Sequence, residues 1–406
     1  MRFETRLLHF DAAPGDPYAP VSTPIYQTAT FAQESAVELG AYDYSRSGNP
    51  TRTVLESQLA RLEGAERAFA FASGMAAVRA VLSLVPAGGH VVAGDDLYGG
   101  TCRLLSTLVR SQGISVSYAD PADLDAFSDA LRTDTSLVLI ETPSNPLLRV
   151  ADLRALAART HAVGARLAVD GSLLPPCLQT PLALGADLVV HSATKFLSGH
   201  SDLTGGVVAV ADETLAREIA FLQNAEGTAL SPFESWLLLR GLKTLALRTE
   251  RQQANAERVA RFLAAHPLVR RVHYPGLPGH TGAALNTRQA RGAGSVLSFE
   301  TGDPELSRRV AEGTRLFTIA VSFGSVGSTV SLPCRMSHAS IPAALRAERR
   351  LPEDLVRLSV GIEDADDLLE DLEAGFRRAR PAAADQGEVF AFPASSALLG
   401  GAHPSG

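Results

Sequence analysis

A doubly wound α/β architecture built on a parallel sheet is what this chain of 406 residues predicts, and three observations carry the expectation. From about Leu55 to Val210 apolar β-branched runs alternate with amphipathic helical stretches, the texture of a sheet covered by helices on both faces. Hydrophobic residues make up 46% of the chain and charged ones 20%, which suffices for a substantial core and more than one domain. Polar residues gather where the apolar runs end, and in open α/β sheets ligands bind outside the carboxyl ends of the strands.

Taken in order, the first fifty residues carry Pro14, Pro17, Pro20, Pro24 and Pro50 with little periodicity, so residues 1–50 read as an arm that wraps a neighbouring surface. Residues 51–249 follow as the α/β unit. Its buried strands are AFAFAS, HVVAGD, SLVLIET, RLAVD, DLVVHS and GVVAV. SGMAAVRAVLSLV, GTCRLLSTLVRSQG, DLDAFSDALR, VADLRALAARTHAVG and the Leu182 to Gly185 region supply the crossovers. After Ser231, PFESWLLLRGLKTLALRTERQQANAERVARFLAAH shows one apolar stripe and one charged face, predicting a single long helix that bridges two domains. A smaller α+β unit over residues 250–381 is expected from GSVLSFET, FTIAVSF and TVSLP as strands, with VAEGTRLF and DADDLLEDLEAGFRRA as helices. Residues 382–406, rich in Ala, Gly, Ser and Pro, read as a disordered tail.

Composition removes several classes of function. The balance of 37 basic against 44 acidic residues, without a dense Lys/Arg run, argues against nucleic acid or an anionic membrane as the main partner. The most apolar stretch, AFAFASGMAAV, is far shorter than the roughly 20 apolar residues a bilayer span needs. Charges at the start, MRFETRLLHFD, leave no room for a signal-peptide core, and a cytoplasmic home is expected. Cys102, Cys177 and Cys334 have no CxxC spacing and suggest neither a disulfide framework nor a zinc site; no metal is expected.

Chemistry collects at the strand ends. HVVAGD leads to Asp95, Asp96 and Tyr98, SLVLIET to Glu141 and Asn145, RLAVD to Asp170, and DLVVHS to Ser192, Thr194 and Lys195. The helix starting near Gly74 and Met75 would aim unpaired N–H groups at the same rim, an anion site that the Ser192 and Thr194 hydroxyls complete for a phosphate. No GxxxxGK[ST] loop, GxGxxG after a first strand or HExxH is present. A phosphate cradle with one Asp and one Lys at strand ends matches the needs of pyridoxal 5′-phosphate, with Tyr98 as the aromatic ring to stack on it. Taken singly these residues have plainer readings. Asp170 could cap a helix, Tyr98 pack at the sheet edge, and Arg357 pair with Glu353, Asp354 or Glu363. His191, His200 and His338 read as hydrogen-bonded structural side chains, and the cysteines as small packing residues.

The residues also resemble a known family, the Cys/Met-metabolism pyridoxal-phosphate enzymes, from about Tyr18 to Arg380. The motifs that carry the resemblance are YDYSRSGNPTR, FASGMAA, GDDLYGGT, ETPSNP, HSATKFLSGHSD and VRLSVGIED, in that order. It implies the fold of the type I pyridoxal-phosphate transferases, a mixed, mainly parallel sheet with helices on both faces plus a smaller α+β C-terminal domain, and a homotetramer made of two active dimers. It also implies Lys195 as the Schiff-base lysine, Asp170 as partner of the ring nitrogen and Tyr98 as stacking ring and catalytic helper. Phosphate would be held by Gly74, Met75, Ser192 and Thr194, with Tyr44 and Arg46 reaching in from a neighbouring subunit. Asn145 would sit near the cofactor's phenolic oxygen, Arg357 would grip the substrate carboxylate, and Ser325 would lie near Lys195 and the substrate.

Within the family, NAEGTALSPFESWLLLRGLKTLALR and AVSFGSVGSTVSLPCRMSHASIP look like plant-type cystathionine β-lyases. This implies β-elimination of L-cystathionine, with cystathionine γ-synthesis or γ-elimination as the alternative and a non-catalytic cofactor-binding protein as a reading from another class. Gly100 stands where methionine γ-lyases carry Cys, which counts against that activity. Two departures remain: Gly171 and Ser172 follow Asp170 where the family has Asn and then Thr or Ser, and Gly327 stands where Glu or Lys is usual, a position expected to touch the far end of the substrate.

Overall fold

The computed structural model describes residues 1–106, 110–337, 339 and 351–380. The expected tail over 382–406 and His338 lie outside the described residues.

Seven strands form the larger sheet: β1 (Arg67–Phe71), β2 (His90–Gly94), β3 (Ser115–Ala119), β4 (Thr135–Glu141), β5 (Arg166–Asp170), β6 (Leu188–Ser192) and β7 (Gly206–Val210). Their order is β1-β7-β6-β5-β4-β2-β3, with β2 to β6 parallel and β7 antiparallel to both neighbours. The expected α/β sheet is therefore present, mixed and mainly parallel. Strand β3, which the hydrophobic pattern misses, lies at the sheet edge with its first four residues only partly buried. Its sequence SVSYA alternates small polar and apolar residues instead of forming a continuous apolar run.

Helices cover both faces. The helix Gly74–Leu82 buries Val78, Val81 and Leu82 against Val91, Leu139 and Val190. On the opposite face Leu153–Ala162 sets Leu153 and Leu156 against Val138, Ile140 and Val169. Each such side chain, fully removed from water, contributes roughly 1.5–3 kcal/mol. The helix Pro50–Glu63 starts where the Asn49 side chain accepts the Thr51 N–H and stops at Gly64, whose φ of 68° is left-handed.

The single long helix expected over 232–266 is two, Pro232–Leu242 and Leu245–Ala265. The break has a local cause: the Gly241 carbonyl accepts from the Arg248 guanidinium at 2.9 Å and from the Thr244 hydroxyl at 3.3 Å, taking it out of the helical ladder. The second helix is shared by two cores. Leu245 packs with Leu197 and Leu239 of the first, whereas Val259 and Leu263 pack with Phe299, Leu358 and Phe376 of the second.

The smaller sheet contains β8 (Arg271–His273), β9 (Val296–Glu300), β10 (Thr318–Ile319), β11 (Thr329–Ser331) and β12 (Leu355–Ser359), in the order β10-β11-β12-β9-β8. Strand β10 is two residues, shorter than FTIAVSF suggests, because the chain then turns through Ser322 at φ 89° toward the rim of the larger sheet. The helix expected over VAEGTRLF runs instead over Pro304–Gly313. The Asp371 carboxylate captures the Arg315 and Leu316 N–H groups at 2.8 Å each and draws that stretch out of the helix. The C-terminal helix Ala365–Ala379 closes this second layer.

Candidate active site

Because β6, β5, β4 and β2 are adjacent and parallel, their carboxyl ends meet on one rim, where a cavity of about 560 Å³ opens. It is lined by Gly74, Met75, Tyr98, Asn145, Asp170, Ser192, Thr194, Lys195 and Arg357 from the residues the sequence singled out. Glu141, Ser172, Val321, Ser322 and Phe323 also line it.

One side of the cavity is built for an anion. Ser73 caps the helix Gly74–Leu82, its hydroxyl accepting the Ala76 N–H at 3.1 Å, so the Gly74 and Met75 N–H groups remain without a helical carbonyl. A Cβ on Gly74 would lie 3.0 Å from the Ser192 side chain, so a bare backbone is what lets this turn and the Ser192 hydroxyl converge. Thr194 is partly committed elsewhere: its hydroxyl accepts the Gly205 N–H at 3.0 Å.

Across the floor, Asp170 ends β5 and accepts the Ser172 N–H at 2.9 Å. Burial raises its pKa, against the opposing pull of Ser172, His191 and Lys195. Glu141 is its register partner on β4 and accepts the Tyr98 N–H at 2.9 Å. Burial, then the charge of Asp170, pushes Glu141 well above the usual carboxylate range. Two carboxyl groups placed so close cannot both ionise without large cost. Asp95 and Asp96, also at this rim, are structural: Arg149 bonds Asp95 at 3.0 Å, and Ser144 and the Leu147 N–H donate to Asp96, fixing the loop that presents Asn145.

Lys195 extends its amine to the Ser322 hydroxyl at 2.6 Å and over the Phe323 ring, 5.1 Å from its centre. Burial, with Arg357 nearby, lowers its pKa to about 8, so about a tenth of it is neutral at pH 7. Arg357 is buried and reaches the Asn145 side-chain oxygen at 2.7 Å and the Ser322 carbonyl at 3.0 Å, its pKa lowered by burial to about 10. Ser322 thus links the amine and the guanidinium, and its φ of 89° is a conformation non-glycine residues rarely hold.

Two expected positions fall elsewhere. Ser325 does not line the cavity; its carbonyl accepts from Gln252 at 2.7 Å, and the hydroxyl beside Lys195 belongs to Ser322. Gly327 likewise does not line it, and among the described residues a Cβ there would meet Glu363 at 4.0 Å; this loop reaches the cavity through Val321, Ser322 and Phe323. Tyr44 and Arg46, expected to serve a neighbouring subunit's site and not this one, stand outside the cavity, with Arg46 donating to the Asn224 carbonyl at 2.9 Å. Gly100 has a packing reason: a Cβ there would come within 2.4 Å of the Tyr98 ring.

Sequence reasoning also missed Arg248. It is buried and donates to the Phe196 carbonyl at 2.9 Å and the Leu197 carbonyl at 3.4 Å, clamping the turn that follows Lys195. An Arg in a charged helical face carries no local signal of such a role. Among the described residues no group of three or more His, Cys, Asp or Glu is placed to hold a metal ion, and no helix is long and apolar enough to cross a membrane.

Residues 4–377 match the family described as Cys/Met metabolism PLP-dependent enzyme. The chain is 55% identical to the chloroplastic cystathionine β-lyase of Arabidopsis thaliana, over 89% of this chain and 78% of that one. The chloroplastic cystathionine β-lyase of Mimosa pudica is likewise 55% identical, over 88% of this chain and 78% of its own. Among solved structures, cystathionine γ-lyase from Lactobacillus plantarum complexed with L-serine superposes with a TM-score of 0.91 at 40% identity, covering 93% of this chain and 99% of that one.

Proposed function

Because the chain belongs to the Cys/Met metabolism PLP-dependent enzymes, we propose that its cavity carries out β-elimination of L-cystathionine, with pyridoxal 5′-phosphate as the cofactor. The protein is a PLP-dependent carbon–sulfur lyase of the cystathionine β-lyase kind. The observation that carries this reading is the 55% identity to a plant cystathionine β-lyase over 89% of the chain.

The residues present fit the cofactor. The Gly74 and Met75 N–H groups with Ser192 and Thr194 would hold its phosphate, Tyr98 would cover the ring, Asp170 would face the ring nitrogen and Asn145 the phenolic oxygen. When bound, the cofactor supplies an aldehyde that condenses with amines and a protonated ring that accepts an electron pair.

Arg357, already held by Asn145 and Ser322, would grip the substrate α-carboxylate with its two-pronged guanidinium and so orient the Cα–H bond. Lys195, neutral above pH about 8 and poised by Ser322, takes the α-proton with help from Tyr98. The same proton then passes from the Lys195 ammonium to the departing sulfur as the Cβ–S bond breaks. Overall, cystathionine and water give homocysteine, pyruvate and ammonia. Incubating the purified, cofactor-loaded protein with L-cystathionine and identifying both products tests this directly.

A second reading, γ-elimination, draws on the Lactobacillus plantarum γ-lyase fold match. It gives cysteine and 2-oxobutyrate, so product identity separates the two. Assembly as a homotetramer of two active dimers, with Tyr44 and Arg46 completing the neighbour's phosphate site, is part of the proposal. The exposed apolar side chains of the arm, Tyr18, Val21 and Val37, support it. A cytoplasmic location is likewise proposed, supported by three cysteines whose spacing shows no disulfide framework.

A further inference from the structure

Asp170 and Glu141 face the same cavity, where Ser172 and Lys195 already favour charge on Asp170, and a further asymmetry adds to theirs. The asymmetry lies behind the sheet. Successive residues of a strand point to opposite faces, so while Val190 and Ser192 of β6 line the cavity, His191 between them enters the layer beneath. Its ring is buried, and its Nε2 lies 2.5 Å from a carboxylate oxygen of Glu63, the last residue of the helix Pro50–Glu63. Both side chains are at most 2% exposed, and among the described residues the second Glu63 oxygen has no hydrogen-bond partner.

Gly171, immediately after Asp170, is what admits the ring. A Cβ at 171 would lie 2.8 Å from His191 Cε1 and 3.5 Å from Nδ1, so any side chain there would displace the imidazole or be displaced by it. The Gly171 N–H pairs with the Val190 carbonyl at 2.9 Å, which locks the two strand ends in this relation.

We infer that His191 and Glu63 form a charge-positioning pair that places a buried imidazolium behind Asp170, keeping Asp170 ionised and leaving the proton on Glu141, and that Gly171 is the residue that makes room for it. The inference rests on the reading of Asp170 as partner of the cofactor ring nitrogen. Burial alone would push the imidazole toward its neutral form, but the Glu63 carboxylate, by charge and hydrogen bond, and then Asp170, raise its pKa above the ordinary value. The other ionisable groups acting on Asp170 and Glu141 are Lys195 and Arg357 from the cavity side and Asp96 at the rim. Charge then alternates through the molecule: Glu63 negative, His191 positive, Asp170 negative and the ring nitrogen positive. Neither His191 nor Glu63 lines the cavity, so both are positioning residues.

The test uses the full chain loaded with pyridoxal 5′-phosphate carrying an NMR-active isotope at the ring nitrogen. Glu63→Gln keeps the side-chain volume and a hydrogen-bonding group while removing the charge; His191→Asn removes the cation; Gly171→Ala adds the obstructing carbon. In each, the ring-nitrogen resonance should move toward its unprotonated position. Cofactor affinity should fall about tenfold, the equivalent of one pKa unit at Asp170. A melting temperature that drops in Glu63→Gln while the resonance and the pH titration of the visible band match wild type assigns the pair to packing and overturns the inference. Should His191→Asn fail to fold, Glu63→Gln and Gly171→Ala still decide it. A wild-type protein that takes up no cofactor fails earlier and overturns the reading of Asp170 itself.

Discussion

At the scale of single residues, the site turns on how Ser322 couples Lys195 to Arg357. Removing its hydroxyl in Ser322→Ala leaves the amine without its partner. A hydrogen bond to a charged group contributes about 1.5–3 kcal/mol, so kcat should fall roughly ten- to hundredfold in steady-state assays. Arg357→Lys keeps the charge but not the fork, and kcat/KM should fall by about the same factor, chiefly through a higher KM for cystathionine. Lys195 also makes the cofactor-free protein pH-sensitive. Its folded pKa of about 8 lies below the ordinary lysine value, so between about pH 8 and 10.5 the unfolded chain holds more protons and stability rises with pH. Urea midpoints of the cofactor-free protein should therefore show Lys195→Met more stable than wild type at pH 7, with the gap narrowing by pH 10. Lys195 and Asp170 were legible because they sit in motifs at strand ends. Ser322 was not: SFGSVGS offers three serines, and only the left-handed turn at Ser322 decides which hydroxyl reaches the amine. The protonation of Glu141 was equally hidden, since it depends on which strand lies beside β4.

Elements bring those residues together through contacts with no sequence signature. Arg248 holds the carbonyls of Phe196, Leu197 and Gly241, tying the turn after Lys195 to the junction of two helices. Replacing it in Arg248→Met would strand the buried Phe196 and Leu197 carbonyls, at about 1–3 kcal/mol each, while Gly241 keeps Thr244. Differential scanning calorimetry should show a melting temperature lower by several degrees, and hydrogen exchange should show lost protection over residues 195–199. The strands of the larger sheet were readable from continuous apolar runs, because burial on both faces leaves them no polar side. Strand β3 escaped for the opposite reason, as an edge strand only half buried. The helix break after Leu242 and the early stop at Gly313 were invisible because the periodicity continues through both. Side chains from outside each helix, Arg248 and Asp371, end them.

For the whole molecule, the proposed arm of residues 1–50 exposes Tyr18, Val21, Val37 and Leu39 at 62% or more, a quantity of apolar surface that needs a partner. A chain starting at residue 46 should sediment as a smaller assembly than the full chain in analytical ultracentrifugation and lose cofactor more readily. The proposed boundary near Thr249 has its own complication, because the helix Leu245–Ala265 crosses it unbroken, with Leu245 in one core and Leu263 in the other. That shaft works like an axle driven through two wheels. Neither half can melt without tugging on its companion, so cofactor tightly seated in the first would also protect the second from heat and proteases, far from any atom it touches.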